Sequence, residues 1–296
     1  MKNGVIIINK EIGPTSQGVV NRVKRLLGAS KAGHTGTLDP MATGVLPVLI
    51  ERGVKASEFM LSSDKHYVAT LLLGVTTDTE DVTGEILTES DNIPDEAEVL
   101  GAVSSFVGSY LQTPPMYSAL KKDGVRLYEL ARQGIEVERQ ERECEIFKLE
   151  ISQLSENEFS LFTECSAGTY IRSLIGDIGE CLNTGATMTS LNRTFACGIS
   201  EDECITLDEL ENYRDNNELE KIIVPVDKML MSYPDVTVTK AQGVRFKNGG
   251  ELLKGRIKGT VPQGLVRVYC ENEFLGLGES LPESENLTVK RVYVER

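Results

Sequence analysis

The chain has 296 residues, 40% of them hydrophobic and 26% charged, an ordinary globular composition that excludes a disordered chain and suffices for one large domain and a small one. Six well-separated cysteines with no CxxC pair and only two histidines give no support to zinc, thioredoxin-like or His-dependent triad chemistry, so reduced structural thiols and no metal are expected. The formal net charge of −14 counts against a nucleic-acid partner only until its distribution is read, because residues 1–60 carry eight basic and four acidic side chains and residues 240–258 six basic and one acidic.

No apolar run approaches the roughly 18 residues needed to cross a membrane. MKNGVIIINK lacks the apolar core and cleavage site of a signal peptide, so a cytoplasmic protein is expected. Val5 to Ile8 suits a buried strand, and Glu11-Ile12-Gly13-Pro14 a turn. Ser16 then caps a predicted helix with Val19, Val20, Val23, Leu26 and Leu27 on one face and Gly28 as its stop. Arg22, Lys24 and Arg25 lie off that stripe, as solvated surface or as phosphate contacts.

The next stretch, AGHTGTLDPMATGVLP from Ala32 to Pro47, sets glycines, two prolines and a histidine around a lone Asp39. Glycine permits close backbone approach and proline stiffens turns, so such a loop can hold one side chain in a fixed pose. The alternative is structural: Asp-Pro is a common helix start, with Asp as the cap. Gly44 and Pro47 leave at most about a turn of helix for that cap to serve. Both readings stand on these residues alone.

Val54 to Leu61 reads as a short helix, and Lys65 to Gly74 as a strand with Tyr67, Ala69, Leu71 and Leu73 on one face. The acidic stretch from Asp78 to Glu98 reads as solvated loop, and DTEDVTGE within it has the wrong glycine and ligand spacing for a calcium loop. Glu96 to Val107 looks helical. TPPMYSALKKDG makes a stiff turn into a helix from about Val125 to Gln133, and strands follow at Cys144 to Ile151 and Phe159 to Cys165. Ser166-Ala-Gly-Thr-Tyr-Ile-Arg opens a helix carried by Ile171, Leu174, Ile175, Ile178, Cys181 and Leu182. Arg172 falls in its first turn, where a cation opposes the helix dipole, which points to a carboxylate partner from elsewhere. Thr187 to Cys197, carrying Leu191 and Arg193, reads as a strand. From Tyr233-Pro234 onward, alternating strands (Val236 to Thr239, Leu265 to Tyr269, Leu287 to Val294) form a basic, glycine-rich β module of about 60 residues.

Four ordered stretches together resemble one family. GHTGTLDPMATGVLP, SDKHYVATLLLGVTTDTEDVTG, PPMYSALKKDGVRLYELARQG and CSAGTYIRSLIGDIG are similar to the catalytic loop, tyrosine strand, central segment and arginine helix of the bacterial tRNA pseudouridine synthases that modify the TΨC loop, the TruB group. The likeness covers most of residues 4–232, with a weaker likeness of 233–296 to the RNA-binding PUA module. Glu11 stands where the family usually has proline.

This resemblance implies an α+β fold: a pseudouridine synthase domain (1–232) on a mixed, largely antiparallel sheet with flanking helices, and a small β-rich PUA-like domain (233–296). It implies isomerisation of the T-loop uridine at tRNA position 55, with no cofactor, tRNA (its T arm) as partner, no obligate protein partner and a monomer. Asp39 would be the nucleophile, attacking the uracil ring or the ribose anomeric carbon. Arg172 would orient it and lower its pKa, and Tyr67 would stack on the base where the carbon 5 proton leaves. Leu191 would wall the pocket, His34 would fill the space left by an extruded base, and Lys10 and Tyr170 would lie close by, among the substrate-binding residues. Two other readings remain at this stage: a non-catalytic RNA-binding protein using GHTG as a GxxG clamp, and a carboxylate hydrolase built on Asp39 and Arg172.

Overall fold

The computed structural model describes residues 3–61 and 63–294, so the domain limits expected at residues 1 and 296 lie outside the described residues. The apolar run at the start forms β1 (Gly4–Lys10), buried along nearly its whole length. In α1 (Ser16–Leu27) the cap is Thr15 rather than Ser16, because the Ser16 hydroxyl is engaged by the main chain of Leu38. The helix buries Val19, Val20, Val23 and Leu27 and stops at Gly28, as its sequence predicts. β2 (Ala32–His34) and β3 (Thr43–Ile50) then frame the Asp39 loop. The helix predicted at 54–61 is a 3-10 turn, Glu51–Ala56, running into α2 (Ser57–Met60).

β4 (Lys65–Leu73) alternates as predicted, burying Tyr67, Ala69, Leu71 and Leu73. β5 (Val75–Thr77) and β6 (Ile86–Glu89) pair around the first part of the acidic stretch. α3 (Glu96–Ser104) begins at an Asp95–Glu98 capping box and ends before Val107, and β7 (Gly108–Gln112) follows. The helix predicted over 125–133 is present but shorter, Leu127–Ala131. Asp123 and Gly124 have φ of 52° and 85°, the left-handed pair that joins two strands tightly. They form a hairpin of β8 (Lys121–Lys122) and β9 (Val125–Arg126), leaving only α4 (Leu127–Ala131) helical. β10 (Arg142–Gln153), β11 (Glu158–Cys165), α5 (Ile171–Cys181), β12 (Ala186–Ala196), β13 (Ile199–Ser200) and α6 (Leu207–Asp215) complete this part.

Nine strands make one sheet in the order β1-β3-β12-β4-β11-β10-β7, with β2 beside β3 and β13 beside β12. Only β3 and β12 run parallel; the other pairings are antiparallel. The β1 edge is covered, since Val5 exchanges main-chain hydrogen bonds with Val224 and Asn9 donates to Ile205 O. Apolar side chains of α1, α3, α5 and α6 join the inward positions of β1, β3, β4, β11 and β12 in one core. The parallel contact puts Gly44 (φ 99°) against the Arg193 carbonyl, where a Cβ would approach to 2.2 Å. No side chain fits there.

In the tail, β14 (Asp235–Val238), α7 (Lys240–Lys247), β15 (Leu252–Leu253), β16 (Gly264–Cys270), β17 (Glu273–Ser280) and β18 (Asn286–Val292) give a second sheet in the order β14-β16-β17-β18-β15. It encloses its own core around Phe246, Val266, Val268 and Leu287. Leu277 and Tyr293 pack with Ala56, Met60, Val226 and Leu230, so the tail covers apolar surface of the larger part. The fold is α+β, a mixed sheet with helices followed by a β-rich C-terminal part, as expected.

Candidate active site

Asp39 occupies a turn closed by the Ala42 N–H, which donates to Asp39 O at 3.1 Å. No helix follows it, which removes the capping role. The loop is pinned on both sides of this residue. On one side the Ser16 hydroxyl accepts from Leu38 N at 2.8 Å and donates to Leu38 O at 2.9 Å. On the other, Lys10 Nζ donates to Pro40 O at 3.2 Å and Ala42 O at 2.7 Å, with a third bond to Glu11 O at 3.0 Å. Lys10 is 1% exposed, so its ammonium is held by main-chain carbonyls of the loop. Burial is the larger cause that brings its pKa down to about 8, with Asp39 pulling it back up and Arg193 lowering it.

Across the sheet, α5 points Arg172 at Asp39. Nε lies 3.1 Å from Oδ2, and Nη2 donates to Oδ1 at 3.5 Å, a side-on pairing. The remaining guanidinium protons go to Thr79 O at 3.0 Å and Tyr117 O at 2.8 Å. Asp81 Oδ2 stands 3.9 Å away on the far side. The fork is thus satisfied from three segments that only the fold brings together.

Electrostatics modify the expectation for Asp39. Arg172 favours its charged form, as expected, but burial is the larger cause and raises its pKa above the ordinary 3.8, with Asp81 adding to the rise and Lys10 opposing it. About a third of the side chain (31%) still faces solvent, which limits that rise. An exposed edge also leaves one face of the carboxylate open to a reactant.

Tyr67 sits on β4 directly opposite Arg193 of β12. Burial raises its phenol pKa, Arg193 opposes by charge and hydrogen bonding, and Asp39 contributes a smaller rise. Leu191 is two register positions along, on the same face, opposite Ala69, and buried in the same cluster as Tyr67. Tyr170 is tied by its main chain to the Gln112 amide (2.8 and 2.9 Å), and burial raises its phenol pKa, with Ser118 opposing and Arg172 and Asp39 among its charged neighbours. His34 lies on β2 with a buried Nδ1 that finds no hydrogen-bond partner. Burial is the main cause that lowers its pKa and Arg193 adds to it, against a backbone hydrogen bond at Gly36 that raises it, so the neutral imidazole is favoured.

Three residues of this arrangement escaped sequence reasoning. Asp81 was hidden in an acidic stretch read as solvated, yet it is 4% exposed and bonded by Thr79 Oγ1 and Thr83 N, each at 2.9 Å. Glu80 beside it is also turned inward, accepting from Ser173 Oγ at 2.7 Å. Ser16 passed as a cap, and nothing local marks its contact with Leu38. Arg193 did carry a signal: it shares the alternation of Leu191, so a charged side chain is placed on an apolar strand face. Among the described residues no group of three or more His, Cys, Asp or Glu side chains could hold a metal. None of the helices there is long and apolar enough to cross a membrane.

Family models match three consecutive stretches: the TruB family pseudouridylate synthase N-terminal domain at residues 24–171, the tRNA pseudouridylate synthase B C-terminal domain at 172–231, and the pseudouridine synthase II TruB C-terminal domain at 234–292. The chain is 42% identical over 287 residues to tRNA pseudouridine synthase B of Alkaliphilus oremlandii (strain OhILAs), covering 96% of this chain and 95% of that protein. It is 44% identical over 282 residues to the protein of the same name from Clostridium perfringens (strain 13 / Type A), covering 94% and 95%. Among solved structures, a Cbf5-Nop10-Gar1 complex contains a chain that superposes with a TM-score of 0.78 at 28% identity, covering 99% of this chain and 85% of that one. The chain belongs to the TruB family of pseudouridylate synthases and is an enzyme of that class.

Proposed function

We propose that this enzyme converts the T-loop uridine at tRNA position 55 to pseudouridine, with Asp39 as the nucleophile. The observation that carries the reading is the side-on ion pair of Asp39 and Arg172, in a loop pinned at Leu38 and at Pro40. A carboxylate oriented by a guanidinium, with one face toward solvent, is preorganised to attack an incoming carbon centre. The relatives named tRNA pseudouridine synthase B support tRNA as the substrate.

The chemistry balances without an external carrier. The N1–C1′ bond of uridine breaks, a C5–C1′ bond forms, and one hydrogen is lost from carbon 5 while N1 gains one. No electron pair leaves the system, so no redox cofactor is required. Tyr67 receives the carbon 5 proton at its oxygen as its own hydroxyl proton passes to solvent, Leu191 and Tyr170 wall the base, and Lys10 holds the loop that carries the nucleophile. Extruding the target base costs a few kcal/mol of stacking, and the flat, neutral ring of His34 suits the space the base leaves. Residues 233–296 act as a PUA-like domain, whose exposed Lys240, Arg245, Arg256 and Lys258 meet RNA phosphates. The reacting groups all come from this chain, so a monomer suffices and no protein partner is invoked.

The test is incubation of the purified chain with an unmodified tRNA transcript and no added factor, followed by mapping of pseudouridine. One modified uridine in the T loop is expected. Modification confined to another arm, or none at all, contradicts the reading.

A further inference from the structure

Arg193 is among the largest fully buried side chains, 1% exposed, and none of the ion pairs among the described residues involves it. Its surroundings are cationic instead. Lys10 and Lys65 are 1% and 7% exposed, and Arg193 contributes to lowering the pKa of both. The Lys65 side chain runs beside it, since a Cβ on Gly36 would lie 3.5 Å from Arg193 Nη1 and 3.9 Å from Lys65 Cε. Enclosing a cation without a carboxylate partner is costly, and a well-packed apolar residue of similar volume would serve the fold at least as well. Stability alone therefore does not account for this guanidinium.

Its bonds indicate what it does. Nε donates to Val45 O at 2.8 Å and Nη2 to Gly36 O at 3.4 Å, so one rigid fork ties both arms of the Asp39 loop to β12. The same strand end holds the loop again through Cys197, whose Sγ lies 3.5 Å from Thr35 Oγ1. On the other side Arg193 stands at the register position opposite Tyr67. An arginine only donates, so its influence on the Tyr67 phenol favours negative charge on that oxygen. Arg193 is the largest influence opposing the rise that burial causes in the Tyr67 phenol.

We propose that Arg193 is a positioning residue of the reaction: it keeps the Asp39 loop and Tyr67 in one register and, through its charge, makes the Tyr67 oxygen able to receive the carbon 5 proton. The inference rests on the proposed uridine isomerisation. In the step concerned the C5–H bond breaks, its electron pair returns to the ring, and the proton passes to the Tyr67 oxygen as the hydroxyl proton departs to solvent.

Arg193→Lys keeps charge and length but loses the fork, and Arg193→Gln keeps a donor but loses the charge. Both are compared with wild type for thermal midpoint, tRNA affinity, single-turnover rate and the isotope effect of deuterium at carbon 5 of the target uridine. The expected result is tRNA affinity within about 3-fold of wild type, with a single-turnover rate lower by roughly 100-fold, as for a misplaced reacting group. The carbon 5 isotope effect should rise in Arg193→Gln, because proton removal becomes slow. The inference is overturned if folded variants keep the wild-type rate and isotope effect, or if the loss lies wholly in tRNA affinity. If one variant fails to fold, the other carries the same measurement. A wild-type protein inactive on tRNA overturns the parent reading and this one together, whereas an active wild type with normal variants overturns only the role of Arg193.

Discussion

Arg172 and Asp39, 133 residues apart in sequence, meet side-on at 3.1 and 3.5 Å, from the first turn of α5 to the turn between β2 and β3. A cation in a first helical turn opposes the helix dipole, so the pairing compensates a placement that the helix alone disfavours. The same guanidinium accepts no substitute in kind, because its remaining protons go to Thr79 O and Tyr117 O.

Replacing Arg172 by Lys should therefore not be conservative. Lysine keeps the charge but loses the bidentate geometry and the bonds to the two carbonyls. The expected outcome is a kcat lower by about 100-fold with tRNA affinity little changed, read by single-turnover kinetics and filter binding. In Arg172→Met, the buried Asp81 also loses its nearby cation, and stability should fall by about 3 kcal/mol in thermal unfolding. An Arg172→Lys enzyme with the wild-type rate would sink the orienting role.

The pH profile has two limbs with stated causes. Asp39 must be ionised to attack, and burial holds its pKa above the ordinary 3.8, so the acid limb of kcat/KM should have its midpoint above 3.8. Arg172→Met removes the group that favours the anion and should move that limb to higher pH. Lys10 titrates near 8, and its neutral form loses charge-assisted bonds to Pro40 and Ala42, so activity should decline above about pH 8. Lys10→Met should abolish that alkaline limb, and its persistence would place the cause elsewhere.

Ser16→Ala removes one hydroxyl that serves Leu38 twice, as acceptor and as donor. Leaving a buried N–H and C=O unpaired costs about 1–3 kcal/mol, so the thermal midpoint should drop and kcat should fall with it. Unchanged kcat in a destabilised protein would separate the loop anchor from the chemistry.

Gly44→Ala is expected to be among the most damaging single substitutions in the chain. It requires a left-handed backbone at φ 99° and a Cβ 2.2 Å from the Arg193 carbonyl, which a main chain paired within a sheet cannot yield to. A loss above about 4 kcal/mol, or failure to accumulate folded protein, is expected from denaturant unfolding and expression yield.

In the tail, charge reversal is a cleaner test than truncation. Removing the tail would uncover Ala56, Met60, Val226 and Leu230, because Leu277 and Tyr293 cover them. Arg256→Glu and Lys258→Glu change only exposed charge. Each should weaken tRNA binding and reduce the slope of log affinity against log salt by about 1, leaving the rate of bound tRNA intact. An unaltered slope would remove these residues from the RNA contact.

How much of this was legible in the sequence depends on range. Periodicity sufficed for β4 and α1, whose alternate and stripe positions are the buried ones. It placed the start of the helix near 125 two residues early, because the Asp123-Gly124 turn draws Val125 and Arg126 into a hairpin strand, and it missed Ser16, whose hydroxyl is claimed from 22 residues away. Arg172 announced itself through a misplaced charge, and resemblance supplied Asp39 as its partner. Asp81 did not, since an acid inside an acidic run looks like solvated surface until burial is known. The pKa of Asp39 was the subtlest miss: the guanidinium was foreseen, but the burial that outweighs it is a property of the assembled fold.

The central claim is that Asp39 is the nucleophile, and it is tested most directly by release of tritium from carbon 5 of the T-loop uridine in wild type and in Asp39→Asn. The account predicts stoichiometric release by the wild type, and tRNA binding without measurable release by the variant. Release by a folded Asp39→Asn protein at the wild-type rate would contradict it.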